Sequence, residues 1–259
     1  MPKIKFILDT QIGPELQTHI KPGLDENPKS SKYFVPKEYK QHPTLFSDDM
    51  RMATVKKCMP FLDAMTSGYI IPFYQDSILT FTKKYRGPDH PPGDTVEMSG
   101  DIDVAAAVSS TSTLGQYKFH QPWQIPKNYQ DKPRLGGKFG NKWFIKTPPG
   151  YSCLFIHPMN QPKTDYEVVS GVVDTDVYDL PILFPYLIKK QFATPKKLAT
   201  TGTQIKFQKG NPMVQVIPFK RESWTSWSGI ENDFQKSTQG FGIIIDMYKK
   251  TFWQKKKYD

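Results

Sequence analysis

Apolar residues gather along this chain in short runs separated by turn-forming residues, which is the pattern of strands rather than of long helices. Trp143–Ile145, Ser152–Ile156, Tyr166–Val169 and Ile182–Leu187 read as strands. The stretch TQIKFQKGNPMVQVIPF predicts two more, folded about a Lys209–Gly210–Asn211–Pro212 turn. Upstream, Lys3–Leu8, Tyr69–Tyr74 and Ile78–Phe81 have the same character, and Cys58–Met65 forms a short apolar segment ahead of Gly68.

Between these runs lie segments too polar and too rich in Pro and Gly to form a core of their own. Residues 9–52 predict an extended arm, and residues 85–141, with RGPDHPPGD, SSTSTLG and RLGGKFGN, predict a long insertion. A Trp-rich loop opens residues 221–259, followed by an amphipathic helix near Ile243–Gln254. In that reading Trp224, Trp227 and Trp253, with Phe241 and Phe252, either pack the helix onto the core or form a binding surface. The whole chain, 1–259, is expected to be one domain, with its β core in 53–84 and 142–220. A content of 23 Pro residues and 14% aromatics also favours a mostly β class.

No run of about 18 apolar residues is present, so no spanning helix is expected, and MPKIKFILDTQIGPEL lacks the layout of a signal peptide. Synthesis and residence in a cytoplasm are the expectation. Cys58 and Cys153 are too few for a disulfide framework, and both lie in apolar runs where a buried free thiol is the ordinary state.

The net charge of +10 would suit a polyanion, but it is spread out, with local excesses at Lys83–Arg86, Lys189–Lys197 and Lys249–Lys257. Nucleic acid is therefore at most an unspecific partner. His19, His42, His90, His120 and His157 are scattered without ligand spacing, so no metal site is expected. Walker A, G-x-S-x-G and G-x-G-x-x-G sequences are absent, which removes the usual P-loop, hydrolase and dinucleotide readings.

The order of turns between Pro149 and Ile217 resembles the β-clip fold of trimeric dUTPases and dCTP deaminases. The places of that family's Pro-Gly turn, its G-V-I-D-x-D-Y segment and its G-x-x-I-x-Q-x-I segment are filled here by three pieces. They are Pro149–Gly150, Gly171–Asp176, and Gly210 through Gln215 to Ile217. Gly240–Phe241–Gly242 and Thr66–Ser67–Gly68 are weaker echoes of a base-closing loop and of a Ser-Ala-Gly turn. The chain as a whole also resembles a group of uncharacterised proteins of tailed phages and bacteria.

What the dUTPase resemblance implies is a homotrimer with Asp174 as the residue that orients water. Gln215, Gly210 and Phe241 would be its nucleotide-binding residues, and Mg²⁺ would accompany the nucleotide. The departures are at the phosphate and the sugar. His157-Pro158-Met159-Asn160 stands where the family has Arg-Ser-Gly, and Pro offers no donor to replace the bidentate fork of Arg. Val177 stands where the family packs a Tyr on deoxyribose, with Tyr178 one residue late. Asp174 and Asp176 also fit a turn held by carboxylates that accept backbone N–H groups.

Two function classes follow. The first is a non-enzymatic assembly or binding protein, a structural component of a tailed-phage virion, with copies of itself and other virion proteins as partners. The second is a divergent nucleotide hydrolase or sensor that uses an intersubunit cleft, with a basic group such as Arg134 or Lys163 supplying the missing charge.

Overall fold

A computed structural model describes residues 2–9, 27–45, 53–74, 76–81, 96–98, 117–119, 136–162, 164–188, 204–230 and 248–259. It is mostly β, with antiparallel pairing throughout. In chain order the strands are β1 (Lys5–Leu8), β2 (Lys29–Ser30), β3 (Tyr69–Pro72), β4 (Ser77–Phe81), β5 (Val96–Met98), β6 (Tyr117–Phe119) and β7 (Gly136–Phe139). They continue with β8 (Trp143–Lys146), β9 (Tyr151–Ile156), β10 (Tyr166–Val168), β11 (Gly171–Val173), β12 (Phe184–Ile188), β13 (Gln204–Phe207) and β14 (Pro212–Lys220). Two short helices, α1 (Lys37–Gln41) and α2 (Met59–Thr66), complete the framework, and no described helix is long and apolar enough to cross a membrane.

A five-stranded sheet, β11-β9-β14-β3-β2, is the part that organises the candidate site. Strand alternation sends Ile71, Cys153, Phe155, Val214 and Val216 to its inner face, where all are buried. They meet side chains of the four-stranded sheet β10-β12-β7-β6 and of β13. The meeting place is aromatic: Phe139 stacks on Tyr186 with centroids 4.0 Å apart, and Phe73, Tyr166 and Phe207 close around them edge to face or tilted. Such pairs add to the stability gained by area burial alone.

Several expectations are corrected here. The segment Cys58–Met65 belongs largely to α2, with Met59 and Met65 as its buried residues. Cys58 is exposed at the start of that helix, and only Cys153 is a buried thiol, its pKa pushed up to about 11 by burial. The expected insertion 85–141 contains β5, β6 and β7, and β7 is an interior strand of the four-stranded sheet with Phe139 in the core. The Gly171–Val173 stretch, expected as a break between strands, pairs with β9 as an edge strand. Part of the expected polar arm pairs with β3 through Lys29–Ser30, and Ser31 is fully buried there.

Of the expected helix near Ile243–Gln254, residues 243–247 lie outside the described residues; Tyr248–Phe252 form a π-helical turn, and no regular element is assigned from Trp253 onward. Long-range polar contacts hold this tail. Trp253 Nε1 donates to Asp63 at 2.9 Å, Lys256 pairs with the same carboxylate at 2.6 Å, and Lys32 pairs with Asp259 at 2.6 Å. Lys256 is thereby tied to α2.

Candidate functional site

Asp174 and Asp176 lie in the turn that follows β11, where the amides of Val177 and Tyr178 donate to the Asp174 carbonyl. The Asp176 carboxylate reaches across to the Pro148–Tyr151 turn and accepts the Gly150 N–H at 2.9 Å. Gly150 suits that turn because its φ of 83° is in the left-handed region. Arg221, the first residue after β14, then closes the cluster. Its Nη1 and Nη2 donate to the two oxygens of Asp176 at 2.9 and 2.5 Å, a bidentate fork, while its own backbone N–H donates to the Gly150 carbonyl at 2.8 Å.

The same guanidinium bonds Ser152 Oγ at 3.0 Å and lies 3.3 Å from Asp174 Oδ1, which also accepts from Ser152 Oγ at 2.6 Å. The Arg221 fork, and after it the Gly150 N–H, hold the Asp176 carboxyl well below the usual carboxylate range. Asp174 thus has one oxygen engaged by Ser152 and by the Arg221 guanidinium. Sequence reasoning missed Arg221. It was assigned to the Trp-rich loop, and its partner Asp176 is 45 residues away.

Gln215 is only 1% exposed and is fully engaged. Its Oε1 accepts from the Met159 amide at 2.9 Å, and its Nε2 donates to the carbonyls of Ala64 at 2.9 Å and Ser67 at 2.7 Å. It thereby joins β14 to the end of α2 and to the turn after β9. The residue opposite it on β9 is Ile156, four positions from Ser152, so Gln215 and Asp174 are separated by roughly 13 Å of strand.

Gly210 stands at the other end, in the turn before β14, with its N–H donated to Phe73 O at 2.8 Å. There it lines a cleft of about 480 Å³ together with Tyr33, His157, Gln161 and Asn211. His157 is held in the wall: its Nδ1 accepts the Val168 amide at 3.3 Å and its Nε2 lies 3.2 Å from Thr164 Oγ1. The structure therefore distributes Asp174, Gln215 and Gly210 along the sheet instead of converging them. Phe241, Arg134, Lys163, His90 and His120 lie outside the described residues. Among the described residues no group of three or more His, Cys, Asp or Glu could hold a metal ion.

Among the described residues, cover over the outer face of the five-stranded sheet is found at one half only. At the β3 side, α2 and the turn after it lie over Ile70 and Gln215, both buried. At the β11 side the cross-strand row Val172, Leu154 and Ile217 shares that outer face. Val172 is 59% exposed, Leu154 and Ile217 are half-buried, and Phe219 beyond them is exposed. Just past Phe219 the chain leaves the sheet, and every residue from Arg221 to Ile230 is exposed. Trp224, Trp227 and Ile230 expose 85%, 73% and 80% of their surface, so the two indoles are not the packing residues of a core. Three large apolar side chains in one exposed segment are not the ordinary scatter of surface hydrophobics. No protein-family model, curated protein or solved structure matches this chain.

Proposed function

We propose that this chain is a non-enzymatic assembly or binding protein that associates with copies of itself, in the setting of a tailed-phage virion that its sequence resemblance implies. The half-covered outer face of the five-stranded sheet carries this reading, because an apolar row in which Val172 and Phe219 are exposed and Leu154 and Ile217 half-buried is the mark of a surface made for a partner. The nucleotide alternative has less support: Asp174 is engaged by Ser152 and Arg221, and Gln215 has no free polar atom to offer a phosphate. Phosphoanhydride hydrolysis depends on positioning and charge neutralisation, and the guanidinium beside Asp174, that of Arg221, is committed to Asp176.

Three measurements on the full chain test the reading. Light scattering is expected to give a mass that is a multiple of the 29.8 kDa protomer, with a trimer favoured by the β-clip resemblance. Incubation with dUTP and Mg²⁺ is expected to release no pyrophosphate above background. Mass spectrometry of purified phage particles is expected to find the protein at a stoichiometric copy number. A monomer with fast dUTP turnover, found only in the soluble lysate, would overturn the proposal.

A further inference from the structure

We propose that residues 221–230 form an arm that packs Trp224, Trp227 and Ile230 onto the open half of the outer sheet face of a second copy of this chain. The inference rests on the reading above that the chain assembles with itself, and it names the two surfaces that meet. One molecule presents both a partly open apolar face and an exposed apolar segment, and each lacks what the other supplies. In its own chain the arm does not lie on that face, since all of its residues are exposed.

The root of the arm explains its direction. Arg221 is fixed by its backbone bond to Gly150 and by the fork onto Asp176, so the chain is held at the β9 and β11 end of the sheet as it departs. The carboxylate cluster thereby gains a purpose that is positional: it anchors the arm. Ten extended residues span roughly 30 Å, whereas β11, β9 and β14 together are roughly 10 Å across. The arm is long enough to cover the open half of a neighbour from edge to edge.

The area is sufficient for a specific contact. Burying two indoles and an Ile removes on the order of 500 Å² of apolar surface, and the accompanying backbone brings the total near the roughly 800 Å² per partner of a standard interface. Trp is also the residue most often found to dominate such contacts. Charge does not oppose the docking, because the row that receives the arm, Val172, Leu154 and Ile217, carries none.

The test uses sedimentation velocity on the full chain and two surface variants, Trp224→Ser/Trp227→Ser in the arm and Val172→Lys on the face. Each variant alone is expected to associate at least about 100-fold more weakly than the wild type, the loss expected of removing central anchors. An equimolar mixture of the two is expected to regain association, because the intact arm of one meets the intact face of the other. A double-Trp variant that associates as tightly as the wild type overturns the arm while leaving the assembly reading in place. A wild type that stays monomeric at every concentration overturns both. Should Val172→Lys fail to fold, hydrogen exchange of the wild type above and below its association range reads the same contact. Protection gained by residues 222–230 supports the arm, and unchanged exchange there overturns it.

Discussion

The two ends of β14 share a strand and a sheet and differ in what lies over them. At Gln215 the outer face is sealed by α2, and each polar atom of the amide is bonded to backbone. At Phe219 and Arg221 the same face is open, and its polar groups are satisfied by a surface ion-pair cluster instead. The contrast teaches that burial, more than residue type, assigns roles here. A glutamine under a helix becomes a fastener, and an aspartate beside an arginine at an open edge becomes an anchor.

The covered end is where substitution should cost most. The backbone turns from α2 into β3 at Gly68, whose φ is 68°, and a Cβ built there would stand 2.0 Å from the carbonyl oxygen of Val216 on β14. Gly68→Ala forces two backbones apart and is expected to destabilise by at least about 4 kcal/mol, at the severe end for single substitutions. Urea unfolding that shows a loss under 1 kcal/mol, or roughly the ordinary cost of a surface change, would break the picture of a tight seal.

Gln215→Leu is next in size. It keeps the volume but strands the Met159 amide and two carbonyls, for an expected loss of about 2–3 kcal/mol. The midpoint of denaturant unfolding should fall, and an unchanged midpoint would mean that water replaces the amide.

At the open end the Asp176 anchor gives a smaller effect that depends on pH. Its pKa is depressed in the folded state, so its contribution is fully present above the unfolded value of roughly 4 and is lost as pH falls towards the folded value. The gap in thermal midpoint between wild type and Asp176→Asn is therefore expected to stay constant from neutral pH to about 5 and to narrow below about 4. A gap that does not narrow in acid would show that the carboxylate charge is irrelevant to the anchor. The smallest effect is expected from Val172→Thr. Because Val172 is exposed in the isolated chain, stability measured at dilution should change by less than about 0.5 kcal/mol.

Much of this contrast could not be read from the sequence. Strands such as Ser152–Ile156 and the pair flanking Gly210 were legible because each is a short apolar run bounded by turn-forming residues. Strand β7 was not, because Gly136 and Gly137 carry no side chain to alternate, and only its pairing with β12 and β6 makes it a strand. The placement of the C-terminal segment was hidden for a different reason: Trp253 and Lys256 bond Asp63, 190 and 193 residues away. Asp174 and Gln215 were visible as residues that could do chemistry. What commits them, an arginine 45 positions beyond Asp176 and carbonyls at Ala64 and Ser67, is tertiary information.

The position of β14 between β9 and β3 has a kinetic meaning as well. Ile70 pairs with Gln215 across 145 residues of chain, while β9 reaches β14 from the intervening sequence. Contacts of such separation close late, because the entropy of gathering the loop is spent before they return anything. The middle of the sheet is thus empty until its last strand arrives, and the arm that begins at Arg221 has no fixed root until Lys220 has paired with Tyr151. Topology thus sets an order: a chain displays the proposed arm in register only once its own sheet is complete.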